Sequence, residues 1–575
     1  MICWRDMPLD AQPLLRTVRN SLLVAVLAAG ASPAAETPKL VEILASELDR
    51  NFQTLKEKGD PKPYFAAYAV TENEFLTMEA TSGLLASRDT RHGRNLDVTV
   101  RVGTPKLDNY HRQPRDIAQF TMGSVVSLDD NPNALKRRLW MDTDSVYRAA
   151  SVRLTNIKAD TQVKVTAVDQ SDDFSAAPAA VEFRKVASYK VNEKQISERL
   201  RAWSKRLSMS PEILNSAVSF QSQREVKTFV NTDGTRLQHG RTFARIVISA
   251  RAKAFDGMDL ATSDTIEADD PTRLPDSKVV EARVDKVIAD LKGLLKAPEV
   301  DPFVGPAILS GKASGVFFHE IFGHRIEGHR QKDESEGQTF TKRVNKDVLP
   351  DFLSVYFDPT LKRYADEDLY GWYDYDDEGV KARRVSVVEK GILKTFLLSR
   401  SPIAGFPESN GHGRRQAGAE IVARQSNLVV DSTKKVPQAD LRKLLVEEIK
   451  RQGKPYGLYF ESVTGGYTTT RSQGLQAFTV IPLVVYRVCP DGRPDELVRG
   501  ADIVGTPLAS FAKIVATSDK LEVFNGYCGA ESGSVPVSAS SPALLVSEIE
   551  VQRKNRSQER PPLLPRPTAQ TGGAE

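Results

Sequence analysis

Apolar positions recur along the chain in two rhythms. Leu40, Val41, Ile43, Leu44, Leu48, Phe52 and Leu55 follow the three- and four-residue spacing of one helical face, which predicts an amphipathic helix over residues 38–59. Residues 133–154 and 193–206 also read as helical. Over 277–295, Val280, Val284, Ile288, Leu291 and Leu295 line one side of a further helix, which Ala297-Pro298 ends. Short apolar or β-branched runs at 64–71, 96–102, 225–230 and 242–250 read as strands.

Past about residue 300 the pattern changes. Runs at 385–388, 393–398, 427–430, 477–488 and 544–551 are of β type, and helices are few. The fold class expected is α+β. An N-terminal α+β domain covers residues 35–270 and a β-rich domain covers 271–552. Pro561, Pro562, Pro565, Pro567, Gly572 and Gly573 mark a disordered tail over 553–575. No internal repeats are visible.

The length of 575 residues fits two to four domains. A hydrophobic share of 40% with 27% charged residues excludes a mainly disordered or fibrous chain. Lys plus Arg (79) less Asp plus Glu (75) leaves +4, which gives no electrostatic reason to expect a nucleic-acid partner. Three cysteines exclude a disulfide scaffold. No internal apolar run is long enough for a transmembrane anchor.

The first 34 residues read as an export signal. Arg16 and Arg19 precede the apolar run 21–30, and the small residues Ala31, Ser32, Pro33 and Ala34 follow it. Cleavage is expected after Ala31 or Ala34, giving a periplasmic or secreted protein. No cysteine stands at either point, so no lipid anchor is indicated. Export removes Cys3 and leaves Cys489 and Cys528 in a compartment that permits disulfides.

Candidate chemistry is concentrated in one segment. Three of the seven histidines, His319, His324 and His329, fall within eleven residues. The core His319-Glu320-x-x-x-His324 is one residue longer than the H-E-x-x-H of zinc proteases. On a regular helix, positions i and i+4 lie about 40° apart, whereas i and i+5 lie about 140° apart and cannot share a metal. A helix that distorts or ends at residues 322–324 restores convergence, and Gly323 is the natural break. In this reading His319 and His324 bind zinc, and Glu320 is the general base toward water. A third ligand is required. Glu327, His329, His412, Asp376, Asp377, Cys489 and Cys528 are all open candidates.

Four ordered motifs over residues 300–550 resemble the TldD/PmbA family of peptidases, once described as modulators of DNA gyrase. They are the segment around His319, Tyr375-Asp-Asp-Glu-Gly379 with Lys390-Gly-Ile-Leu393, Asn410-Gly-His-Gly-Arg-Arg415, and Cys528-Gly-Ala-Glu-Ser-Gly-Ser-Val-Pro-Val537. The resemblance implies a metallopeptidase with one zinc ion per chain, held by His319, His324 and Cys528, with Glu320 as base. It implies a dimer, with a copy of itself or a related subunit lacking the motif, whose enclosed cavity admits extended or unfolded peptides. Because the motif is intact, the chain resembles the catalytic TldD type. Independently, a thiolate is a soft ligand suited to zinc, and glycines flank Cys528 closely.

Further candidates carry less weight. His412 and Arg414 are candidates for holding an oxyanion or a substrate carboxylate, against a glycine-shaped turn. Gly465 and Gly466, followed by Tyr467-Thr-Thr-Thr470, mark a substrate-facing loop, where strand-edge pairing with an extended peptide is the expected mode. Asp376, Asp377 and Glu378 read more simply as a solvated loop. The leading expectation is an exported zinc-dependent peptidase. A non-catalytic partner subunit and a DNA-associated regulator are the alternatives.

Overall fold

The computed structural model describes residues 36–113, 118–161, 169–472, 478–554 and 562. The expected export signal at 1–34 lies outside them, as does nearly all of the expected tail. From Lys39 on, the described residues form one compact unit.

Helix α1 (Lys39–Lys58) leads into a long antiparallel hairpin of β1 (Pro63–Thr81) and β2 (Leu84–Thr104). Two residues with positive φ, Ser82 (50°) and Gly83 (83°), close it. Their twist matches the strands, which is why a two-residue loop suffices. Helices α2 (Pro132–Thr161) and α3 (Glu193–Ser208) follow, then β3 (Asn215–Asn231), β4 (Arg236–Lys253) and β5 (Asp259–Ala268). The long strands pair in the antiparallel order β2-β1-β3-β4-β5.

Side-chain alternation divides the two faces of this sheet. Ala66, Tyr68, Val70, Leu76, Met78 and Ala80 of β1 lie in the cores shared with the helices. On the opposite face, Phe65 and Ala67 pack with Phe229, Leu237 and Tyr375, which joins the sheet to the second half of the chain. Helix α4 (Ser277–Lys296) is capped by Asp276, whose carboxylate accepts from Val279 N at 3.1 Å. Its Val280, Val284, Val287, Leu291 and Leu294 pack on the first sheet, although a boundary at 270/271 assigns this helix to the second half.

The second half is built on β6 (Phe303–Leu309), the helix α5 (Gly311–Ile321), β7 (Gly457–Thr468), β8 (Phe478–Val488), β9 (Ala501–Gly505), β10 (Ile514–Ala530) and β11 (Gly533–Arg553). Strand β6 pairs with both β7 and β11, so β6-β7-β8-β9-β11 closes on itself. Strands Leu353–Phe357, Val385–Glu389 and Asn427–Ser432 extend the sheet beyond β11. The run at 393–398 is a strand only at Ile392–Leu393. Helix α6 (Gln438–Arg451), which buries Leu441, Leu445 and Ile449, is an element that the β-type reading of this half lacks.

Helix α5 is buried almost all round, as a helix at the centre of a core must be. Phe317, Phe318, Ile321 and Phe322 are each at most 1% exposed. Each such side chain stabilises the fold by roughly 1.5–3 kcal/mol through burial. Gly315 lets the helix approach β11, since a Cβ there would stand 2.8 Å from Ala539 O.

Candidate metal centre

The α-helix stops where His319 and His324 require it to. Ser310 Oγ accepts from Ala313 N at the start of α5, the helix ends at Ile321, and Gly323–Ile326 continues as a 3₁₀ turn. The tighter winding turns His324 back toward His319. Their rings lie 5.1 Å apart at 80° to each other. Gly323 is needed for close approach. A Cβ there would fall 1.9 Å from Gln425 Oε1, and Gln425 Nε2 donates to His319 O at 3.3 Å.

The third donor arrives from the far end of the chain. Cys528, near the tip of the β10–β11 hairpin, places Sγ 3.3 Å from His324 Nε2. Donor atoms of His319, His324 and Cys528 all lie within 4.8 Å of one another. Tetrahedral zinc with two nitrogens and one sulfur needs donor separations of roughly 3.4–3.6 Å, so modest closure would suit this set. All three side chains are buried.

Burial alone would raise the Cys528 pKa, but the His324 and His319 imidazoles draw it well below the ordinary thiol value. Burial disfavours the His324 cation, yet Cys528 and Glu327 raise its pKa well above the ordinary value. A thiolate beside an imidazole is the state that precedes metal capture. Burial raises the Glu320 pKa, with the two imidazoles opposing. Glu320 Oε2 lies 4.0 Å from His324 Nε2. Gly466 makes room for it, since a Cβ at 466 would stand 2.7 Å from Glu320 Cγ.

The remaining ligand candidates lie elsewhere. Glu327 is fully buried behind His324, with Oε2 3.3 Å from Nδ1 and 2.9 Å from Arg330 Nε. Its pKa falls to about 2: burial would raise it, but the neighbouring His324 and Arg330 charges prevail. A carboxylate behind an imidazole fixes the ring's tautomer and orientation. Arg424 ties the parts together, with Nε 3.4 Å from Glu327 Oε1 and Nη2 donating to Cys528 O. His329 bonds to Glu531 and is not among the converging donors. Cys489 is buried, and neither it nor Cys528 is in a disulfide.

His412 does not reach this centre. It is fully buried between Ser426 Oγ (3.1 Å) and Asn410 O (3.3 Å), and burial pushes its pKa to about 3. A neutral, enclosed imidazole cannot touch a substrate. The acidic cluster is also buried, contrary to its reading as a solvated loop. Asp376 accepts from the backbone N of Glu378, Val380 and Gly413, and Asp377 from Lys227 Nζ and Arg415 N. The roles of Glu327 and Arg424 escape sequence reasoning, because buried charges held by tertiary pairing leave no periodic mark.

Residues 304–553 match the family described as the PmbA/TldA metallopeptidase C-terminal domain. This match and the curated TldD homologues support the TldD/PmbA family for the C-terminal half of the chain. It is 29% identical over 245 residues to a metalloprotease of Methanocaldococcus jannaschii, covering 42% of this chain and 50% of that one. It is also 29% identical over 269 residues to a zinc metalloprotease TldD homolog of Saccharolobus solfataricus, covering 46% and 54%. The chain thus spans about half the length of the curated relatives it matches. A putative modulator of a DNA gyrase from Thermotoga maritima has the same fold at a TM-score of 0.59 and 16% identity, over 88% of this chain and 100% of that one. TldE from Thermococcus kodakarensis does so at 0.58 and 14%, over 87% and 99%. The TldD/PmbA fold therefore extends through the N-terminal half, beyond the matched C-terminal domain. Among the described residues, no helix is long and apolar enough to cross a membrane.

Proposed function

We propose that the chain is an exported, zinc-dependent TldD-like peptidase acting on extended or unfolded peptides. The convergence of the His319, His324 and Cys528 donor atoms within 4.8 Å, beside Glu320, carries this reading. One zinc ion per chain would be held by those three residues and, when bound, would supply Lewis acidity. Glu320 takes a proton from the attacking water and returns it to the leaving amine. Its raised pKa favours the first of these transfers, since a more basic carboxylate accepts the proton from water more readily. Glu327, Arg330 and Arg424 keep His324 and the Cys528 strand in place during the exchange.

The free edge of β7 supports an extended substrate. Pairing between β7 and β6 covers only Leu458–Phe460, and beyond Ser462 its ladder partner among the described residues is β8 alone. A peptide adding along that edge would pass Gly465 and Gly466, and so lie beside Glu320. A dimer, with a copy or a related subunit, and cleavage of the export signal belong to the same proposal. Light scattering and N-terminal sequencing test them, the latter expecting Ser32 or Ala35 as first residue.

The deciding experiment is Glu320→Gln assayed on unfolded casein. Zinc content should stay at wild-type level while cleavage is lost. Undiminished cleavage would remove Glu320 from the mechanism. An absence of cleavage by the zinc-loaded wild type would favour a non-catalytic partner subunit.

A further inference from the structure

Two of the four sequence motifs take no part in the metal centre, and the structure shows what they build. Asp376 accepts from Gly413 N at 2.9 Å and Asp377 from Arg415 N at 2.8 Å. These bonds clip the loop at 375–379 to the segment at 410–415, on either side of Arg414. The Arg414 side chain lines a cavity of about 620 Å³ between the first sheet and the second half of the chain. That volume is typical of small-ligand sites.

Arg414 is 5% exposed, and its Nη1 donates to the carbonyls of Gln425 and Pro536. Among the described residues it forms no ion pair, and its Nε and Nη2 have no protein acceptor. The other cations of the wall are matched. Lys227 pairs with Asp377 at 2.6 Å, Arg241 lies 3.5 Å from Glu225, and Arg415 lies 3.6 Å from Asp97. Asp376 adds no balancing charge, since burial and the nearby Glu378 raise its pKa well above the carboxylate range. A buried guanidinium without a counter-charge is costly unless a ligand supplies one. Two free donors in a planar fork match a carboxylate. The adjoining walls are flat and apolar: Trp372, Tyr527 and Tyr373, over whose ring Arg414 lies at 4.8 Å.

This cavity is on the other side of the hairpin from the metal centre. Cys528, Val535 and Val537 form one cluster, while the alternating Tyr527, Ser534 and Pro536 line the cavity. We infer that the cavity is a second ligand site, distinct from the metal centre, for a carboxylate carried on a flat apolar body. Arg414 binds the carboxylate, and Trp372 and Tyr527 cover the body. This holds whether or not the chain is a peptidase. A free organic acid and the C-terminus of a peptide both present this chemistry.

Titration calorimetry on the full, zinc-loaded chain tests it. The probes are N-acetylphenylalanine, its amide, and a glycine-rich pentapeptide ending in phenylalanine with a free carboxylate. The acid should bind, and the amide should bind at least about tenfold more weakly. Arg414→Lys should weaken the acid by a similar factor. Ala417→Trp, which fills the cavity from its half-buried rim and leaves Arg414 intact, should abolish binding with zinc content unchanged. Binding of the peptide as well as the acid assigns the site to peptide C-termini; binding of the acid alone assigns it to free acids. No heat from the acid at millimolar concentration, equal binding of acid and amide, or unchanged binding in Ala417→Trp would overturn the inference. So would loss of binding when a chelator strips the zinc, because the carboxylate would then have been at the metal centre.

Discussion

Gly466→Ala adds one carbon at the point where β7 meets the proposed catalytic base. The new Cβ would stand 2.7 Å from Glu320 Cγ and 2.8 Å from Thr479 O. Carbon atoms rest at roughly 3.5–4.0 Å, so one partner must retreat by about 0.8 Å or more. Thr479 O belongs to the backbone of β8, paired with β7 at Tyr467, and is fixed by the ladder. Glu320 is therefore the group that moves. Displacing a catalytic group by about 1 Å costs on the order of a hundredfold in rate. None of the three metal donors is among the three atoms nearest the added carbon, so zinc content should be unchanged. The assay pairs casein cleavage with zinc content measured on the same preparation. A variant cleaving at the wild-type rate would refute the placement of Glu320 as base. A variant that has lost its zinc would refute the separation of base from ligands.

Other outcomes follow from the same geometry. Cys528→Ser should purify with little zinc and no peptidase activity, because a neutral hydroxyl replaces the thiolate; retained zinc at wild-type affinity would exclude the thiolate as a ligand. Gly323→Ala should weaken zinc binding by driving out the fully buried Gln425 side chain, and Gln425→Ala in the same chain should restore part of it. The pH dependence of stability can be read from His412 and His239, whose pKa values burial lowers to about 3 and about 4. With folded values below the ordinary 6.5, the unfolded chain takes up more protons as pH falls. Full stability is therefore present above about pH 6.5 and is lost as pH drops through the folded values, by up to about 1.4 kcal/mol per pH unit for each histidine. Denaturant titrations from pH 7 to pH 4 should show this slope, and His412→Leu should flatten it; equal slopes would place the acid sensitivity in other groups.

The parts of this architecture that were legible in the chain are those set by local periodicity. Helices α1 and α4 show in single apolar stripes, and the break at Gly323 follows from the five-residue spacing of two histidines. Helix α6 was equally legible, for Leu441, Leu445 and Ile449 recur at four-residue spacing. Its surroundings of β-type runs obscured it. The β1–β2 hairpin was legible only where its strands are buried on both faces. Over Ser87–His92 the outer strand is exposed and polar, so the alternation vanishes. His412 illustrates a different limit. A histidine between two glycines reads as functional because glycine permits close approach, and the same smallness here lets it be packed away entirely. The acidic residues at 376–378 mislead in the same way, since composition cannot show that backbone amides replace water.

The ligands of the centre are far apart in the order of synthesis. His324 and Cys528 are separated by 204 positions, and Cys528 lies on the last hairpin of the described fold. A chain interrupted before that hairpin has two imidazoles and no thiolate to complete the set. If these residues hold zinc as proposed, its capture reports that the final strands have docked, and a nascent or truncated chain lacks the complete donor set. For a protein whose proposed substrates are unfolded polypeptides, this ordering keeps an unfinished copy from cleaving any chain, its own included.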